Sequence, residues 1–167
     1  AGLIDNDVAV LVADALAVLL TEFKRVVVWE VYGNHGRMGR KGDYPREDNL
    51  DRMVCELARA HTKSQRRLEW HAPLHWYNLV QVGDYRALLV HGDQIKSFGG
   101  NTPAFGIMRK ATAWSTGVVP DHSDVYLGHF HQAMTLTKPS RGRVFMTPSV
   151  ESSSAYAQEF VAATGQP

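Results

Sequence analysis

The 167-residue chain reads as a layered α/β protein with mixed sheets. Three observations predict this class. Segments of helical period alternate with β-branched runs along the whole chain. The run Val26-Val27-Val28-Trp29-Glu30-Val31-Tyr32 is almost continuously apolar, as in a strand covered on both faces. Three strand ends carry a glycine beside a histidine, at 33–36, 91–92 and 128–131. Helical bundles and simple sandwiches do not produce this order.

Residues 8–23 read as the first helix, because apolar side chains at 8, 11, 12, 15, 16, 19 and 20 follow its period. Asp5 or Asn6 stands where a cap is expected. The strand at 26–32 follows and stops at Gly33-Asn34. Residues 36–44 hold three glycines and three basic residues and read as a surface loop. A second helix is expected over 45–63, with Pro45 in its first turn. Residues 74–82 and 85–90 read as a hairpin joined at Gly83-Asp84. Residues 97–102 are loop. Thr102 caps and Pro103 opens a helix over 103–114. A short strand at 124–127 ends in Gly128-His129, and 132–137 and 143–147 read as an antiparallel pair around 138–142. The last twenty residues are Ser/Ala-rich, and Ser152-Ser153-Ser154 carries no chemistry that can be argued.

Composition bounds the function. Hydrophobic residues make up 44% and charged residues 21%, the balance of a globular chain rather than a disordered one. One domain over 1–167 suits the length. No apolar run reaches membrane-spanning length, so no membrane partner is expected. Residues 8–20 are interrupted by Asp14 and lack a basic flank, so they do not read as a signal peptide. A cytoplasmic location is the resulting expectation. Cys55 is the single cysteine, which excludes an intrachain disulfide framework, and it reads as a buried helix-face thiol. Residues 36–70 hold nine of the 18 Lys and Arg, against six acidic residues, a modestly basic stretch that suits an anionic substrate or a solvated helix.

Ligand sites in open α/β sheets lie beyond the carboxyl ends of strands. Glycines there allow sharp turns and close approach. Three His–Gly turns therefore have a way to converge at a sheet edge. His129 and His131 are two apart, and in extended chain they would point to one side and reach one metal or two adjacent ones.

Gly33-Asn34-His35, His91-Gly92 and Gly128-His129-Phe130-His131 together resemble the last three motifs of the calcineurin-like metallophosphoesterases. The resemblance covers roughly residues 10–150. It implies an α-β-β-α sandwich, a dinuclear metal site between two packed sheets, and hydrolysis of a phosphate ester. The implied metals are two divalent ions such as Mn, Fe, Zn or Ni. By this resemblance Asn34 supplies an amide-oxygen ligand to one metal. His91 and His129 are ligands of that same metal, and His131 of the other. His35 contacts the phosphate and assists the leaving group. The family includes repair nucleases and cyclic-nucleotide phosphodiesterases, so a phosphodiester, nucleotide or nucleic acid is the implied substrate.

The chain departs from the family pattern. Gly36 stands where an acidic residue commonly follows Asn-His. The early Asp-x-His and Gly-Asp motifs are not found, and Asp5-Asn6-Asp7 matches neither. The expectation is that a first strand-helix-strand portion with its carboxylate ligands precedes Ala1. Two divalent ions about 3.5–4 Å apart need a bridging anion, so the segment alone is expected to bind one metal at most, weakly. Arg37, Arg40 and Lys41 are candidates to hold phosphate oxygens, or form a solvated basic loop. Trp70, His71, His75, Trp76 and Tyr77 are candidates for base stacking or for packing. Pro73 argues against a helical metal pair of His71 and His75. The alternative reading is a catalytically inactive binding or assembly module, or a fragment completed by strands from a separate polypeptide.

Overall fold

Ala and Leu are strong helix formers, and no glycine or proline falls between residues 3 and 22. The first helix therefore propagates past its expected start. In the computed structural model α1 spans Gly2–Glu22. Asp5 and Asn6 lie inside it, so neither is its cap. The structure describes residues 2–45, 47–73, 75–96, 103–139 and 141–149. The expected loop at 97–102 with its cap Thr102, and the Ser/Ala-rich end from 150 onward, lie outside the described residues.

Two compact units divide the chain between Asn78 and Leu79. In the first, α1 packs against α2, Leu50–His61. Ala9, Leu16 and Leu20 of α1 and Ala58 of α2 are buried. Strand β1, Val26–Trp29, pairs parallel with β2, Leu68–His71, with Val26 opposite Leu68 and Trp29 opposite His71. The expected seven-residue strand is thus shorter, and its residues are half-buried rather than covered on both faces. It ends where Glu30 turns inward to an ion pair with Arg59, 2.7 Å from the guanidinium. Strand β2 was not expected, because its four residues are too short to show a period.

Helix α2 begins later than the proline suggested. Residues 45–48 form a turn closed by Asp48 N–H to the Pro45 carbonyl at 3.1 Å. Asn49 is the cap, its side chain accepting from Asp51 N–H at 2.8 Å.

The second unit holds the central sheet. Strands β3, Tyr77–Val82, and β4, Tyr85–Val90, are joined at Gly83-Asp84, where Gly83 takes a positive φ of 57°. The hairpin is therefore as expected, although β3 begins at Tyr77 and the unit boundary falls inside it. Helix α3, Ala104–Ala113, leads to β5, Asp124–Leu127. Strands β6, Met134–Thr137, and β7, Arg143–Met146, pair antiparallel as the sequence predicted. The sheet order is β3-β4-β5-β7-β6, with β4, β5 and β7 parallel. The fold is thus mixed α/β with a five-stranded mixed sheet.

Leu88, Val90, Val125 and Val144 are fully buried on its strands, and Ile107 and Ala111 on α3. Each large aliphatic among them contributes about 1.5–3 kcal/mol. Beyond α3 the chain stays helical through Trp114 and turns out at Thr116 and Gly117, where Gly117 takes a positive φ of 100°. Among the described residues no helix is long and apolar enough to cross a membrane.

Candidate metal centre

The parallel sheet brings two of the predicted histidines together. Val90 is the last residue of β4 and lies in register with Leu127, the last of β5. The residues that follow each strand emerge side by side. The Gly128 N–H donates to the His91 carbonyl at 3.1 Å and ties the two turns. Nε2 of His91 and Nδ1 of His129 are then 3.2 Å apart, with the rings inclined at 68°. Both side chains are half-buried.

The backbone is specialised to allow this. Gly92 has a φ of 118°, and a Cβ there would meet the His129 Cβ at 3.0 Å. His129 itself has a φ of 69° and His131 one of 56°. Bulky residues rarely adopt this left-handed conformation, and such strain concentrates at functional sites. The Phe130 N–H donates to the Gly128 carbonyl at 2.8 Å, a three-residue turn. The segment is therefore not extended, and the argument that His129 and His131 share a side by strand alternation does not apply. His131 is half-buried near the same strand end.

The donor set allows a direct test of fit. Two imidazole nitrogens held by one tetrahedral ion at roughly 2.0–2.1 Å stand about 3.3 Å apart. As it stands the 3.2 Å contact of His91 and His129 is a hydrogen bond between the two rings, and its length is close to that spacing. A pair of ions does not fit the described residues, among which no three His, Cys, Asp or Glu side chains group to hold a metal.

In the first unit, Asn34 and His35 sit on a turn after β1. Asn34 is half-buried and His35 is exposed. Three contacts hold the turn against the start of α2. Gly33 N–H donates to Asp51 Oδ2 at 2.6 Å, Asn49 Nδ2 to the Gly33 carbonyl at 2.9 Å, and Leu50 N–H to the Gly36 carbonyl at 2.7 Å. Gly36 is buried against the Asn49 and Asp51 side chains, which any Cβ there would overlap. This explains a glycine where the resemblance leads one to expect a carboxylate. Asn49 and Asp51 were not singled out from the sequence; the Asn-x-Asp pattern before an apolar-periodic stretch was the signal available.

Arg37 bridges to Asn49 and, with Lys41, lines a hollow beside Gly33. Arg40 is exposed, and its backbone N–H bonds Asp43. The aromatic residues are engaged in packing. Trp29 stacks on His71 with centroids 5.3 Å apart, Arg59 lies over Trp70, and His75 and Trp76 both contact Tyr77. Burial, reinforced by Glu30, pushes the Cys55 thiol up to about 12, so it stays protonated and unreactive at neutral pH. The same causes push Tyr32 up to about 12.

No family model and no curated protein matches the chain. Solved structures do. One is a conserved uncharacterized protein of Streptococcus pneumoniae, described as a predicted phosphoesterase. It matches with a TM-score of 0.47 at 9% identity, over 88% of this chain and 69% of that one. Vps29 of Entamoeba histolytica, complexed with zinc, matches with a TM-score of 0.41 at 13% identity, over 88% and 69% of the two chains. Vps29 of Chaetomium thermophilum gives 0.37 at 10% identity, over 74% and 70%.

Proposed function

We propose that the chain belongs to a metal-dependent hydrolase of phosphate esters, a phosphodiesterase in the manner of the calcineurin-like enzymes, in which His91 and His129 hold one divalent cation. The observation that carries this is the 3.2 Å approach of two imidazole nitrogens at adjacent parallel strand ends, built on a positive-φ glycine and a strained histidine. A bound divalent ion supplies charge stabilisation for phosphoryl oxygens and a more acidic water. The protein's part is positional. Gly92 admits the His129 Cβ, and the Gly128 to His91 backbone bond holds the two turns side by side. The motif resemblance assigns His35 to the leaving oxygen, Asn34 to a metal ligand and His131 to a second ion.

Hydrolysis of bis(4-nitrophenyl) phosphate with added Mn²⁺, by the natural full-length product, tests this reading. His91→Ala and His129→Ala should each lower metal-dependent turnover by about 10²-fold or more. His35→Ala should lower turnover with metal affinity kept. Absence of metal-dependent hydrolysis by the unsubstituted protein would sink the enzymatic reading.

The donor set supports a second reading, a binding or assembly module without turnover, since no carboxylate joins the two imidazoles in a group of three among the described residues. The same assay separates the two, because the module predicts metal binding without hydrolysis.

A further inference from the structure

The first unit contains two adjoining hollows that the metal centre does not use. One, of about 220 Å³, is walled by Gly33, Arg37, Lys41, Gly42, Tyr44 and Asn49. The other, of about 310 Å³, shares Tyr44 and Asn49 and adds Met38, Asp48, Leu50 and Met53. Their chemistry differs. The first carries two cationic side chains and no carboxylate. The second carries two thioethers, an aromatic ring and a leucine, with one carboxylate, Asp48, in its wall.

Met38, Tyr44 and Met53 are 56%, 54% and 40% exposed. Three large apolar side chains around one hollow, Met38 and Tyr44 from the loop and Met53 from α2, mark a binding surface more than a packing accident. Thioethers are polarizable and favour contact with aromatic rings. The loop is also held in shape. Besides the contacts of Asn49 and Asp51 on the 33–36 turn, Asp43 N–H donates to the Arg40 carbonyl at 3.1 Å and Arg40 N–H to Asp43 Oδ2 at 3.0 Å.

We infer that these two hollows form one site for a phosphate ester carrying a flat aromatic group, of the nucleoside monophosphate class. The inference rests on the phosphate-ester reading above. Arg37 and Lys41 take the phosphate oxygens, Arg37 through its planar fork. Met38, Tyr44 and Met53 take the ring, and the Asp48 carboxylate accepts from a ring amine. The site therefore favours a base with an exocyclic amino group over one with carbonyl oxygens alone.

Calorimetric titration of the full chain in EDTA tests this, with adenosine 5′-monophosphate, inorganic phosphate and adenosine as separate probes. The monophosphate should bind at least about tenfold more tightly than either part. Lys41→Ala should weaken the monophosphate and phosphate by about tenfold and leave adenosine unchanged. Met53→Ala, at an exposed position, should weaken the monophosphate and adenosine and leave phosphate unchanged. A parallel zinc titration without EDTA separates the two readings: His91→Ala should lose zinc there while keeping the monophosphate in EDTA. If the monophosphate binds no better than phosphate, or binds equally well to Lys41→Ala and Met53→Ala, the site proposal is overturned even where zinc still binds. If the predicted nucleotide pattern appears without zinc binding, the metal reading fails instead.

Discussion

Two imidazole nitrogens 3.2 Å apart attract only when one donates and the other accepts, or when a cation lies between them. The pair is held by neighbours too small or too strained to be incidental. Gly92→Ala places a Cβ 3.0 Å from the His129 Cβ and 3.3 Å from the Gly128 carbonyl, at a φ of 118°. The expected cost is about 1–3 kcal/mol of stability, together with weaker metal affinity, measurable by thermal denaturation and zinc titration. A substitution that left both unchanged would mean that His129 is not positioned by this contact. Cys55 makes the opposite prediction, of inertness. With its thiol pushed up to about 12, labelling by a thiol reagent at pH 8 should be far slower than for free cysteine, and a rate equal to free cysteine would contradict its half-buried position beside Glu30. At this scale the histidines and glycines were visible in the sequence, but their backbone was not. Nothing in the order Gly-His-Phe-His distinguishes an extended chain from the left-handed turn that the structure adopts at His129 and His131.

Among the elements, α2 and the segment before β5 carry the sharpest expectations. Asn49 caps α2 and also donates to the Gly33 carbonyl, so it links the helix to the turn that bears Asn34 and His35. Asn49→Ala removes both contacts, and the loss should be about 1–2 kcal/mol, read from the shift in denaturant midpoint. Before β5, His122 is buried, with Nδ1 2.9 Å from the Pro120 carbonyl and Nε2 without a hydrogen-bond partner among the described residues. Burial lowers its pKa, the nearby cations Lys138 and Arg141 lower it further, and Asp121 and the Pro120 bond raise it. A histidine whose folded pKa is depressed contributes stability that is full above its unfolded value, about 6.5, and is lost as pH falls through the folded value. Stability should therefore fall on acidification below about pH 6.5, and His122→Gln should flatten that part of the profile. Long periodic elements were legible from sequence, and so were the two hairpins, whose turn chemistry is local. Strand β2 was not, because four residues hold no period. The end of β1 was not, because the residue that follows it, Glu30, pairs with Arg59, 29 positions away. The true start of α2 depends on a tertiary tie between Asn49 and Gly33.

At the scale of the whole molecule, the sequence indicated an α/β class with mixed sheets. It did not show that the chain divides at residue 78 into two compact units. That division lies within the apolar run of β3, where no glycine or proline marks it. The chain also keeps Leu11 and Val18 of α1 exposed, with Phe23 just beyond its end, on a helix that is apolar on most sides. Such a surface limits solubility. The double substitution Leu11→Lys with Val18→Lys should raise the concentration at which light scattering begins, and no change would mean that this face is not what limits solubility. The central claim, that His91 and His129 share one divalent cation, is tested most directly by X-ray absorption at the zinc edge of the metal-loaded protein. It predicts imidazole nitrogen scattering at roughly 2.0–2.1 Å that weakens in both His91→Ala and His129→Ala. A zinc spectrum without imidazole scattering, or one identical in both variants and the unsubstituted protein, would contradict it.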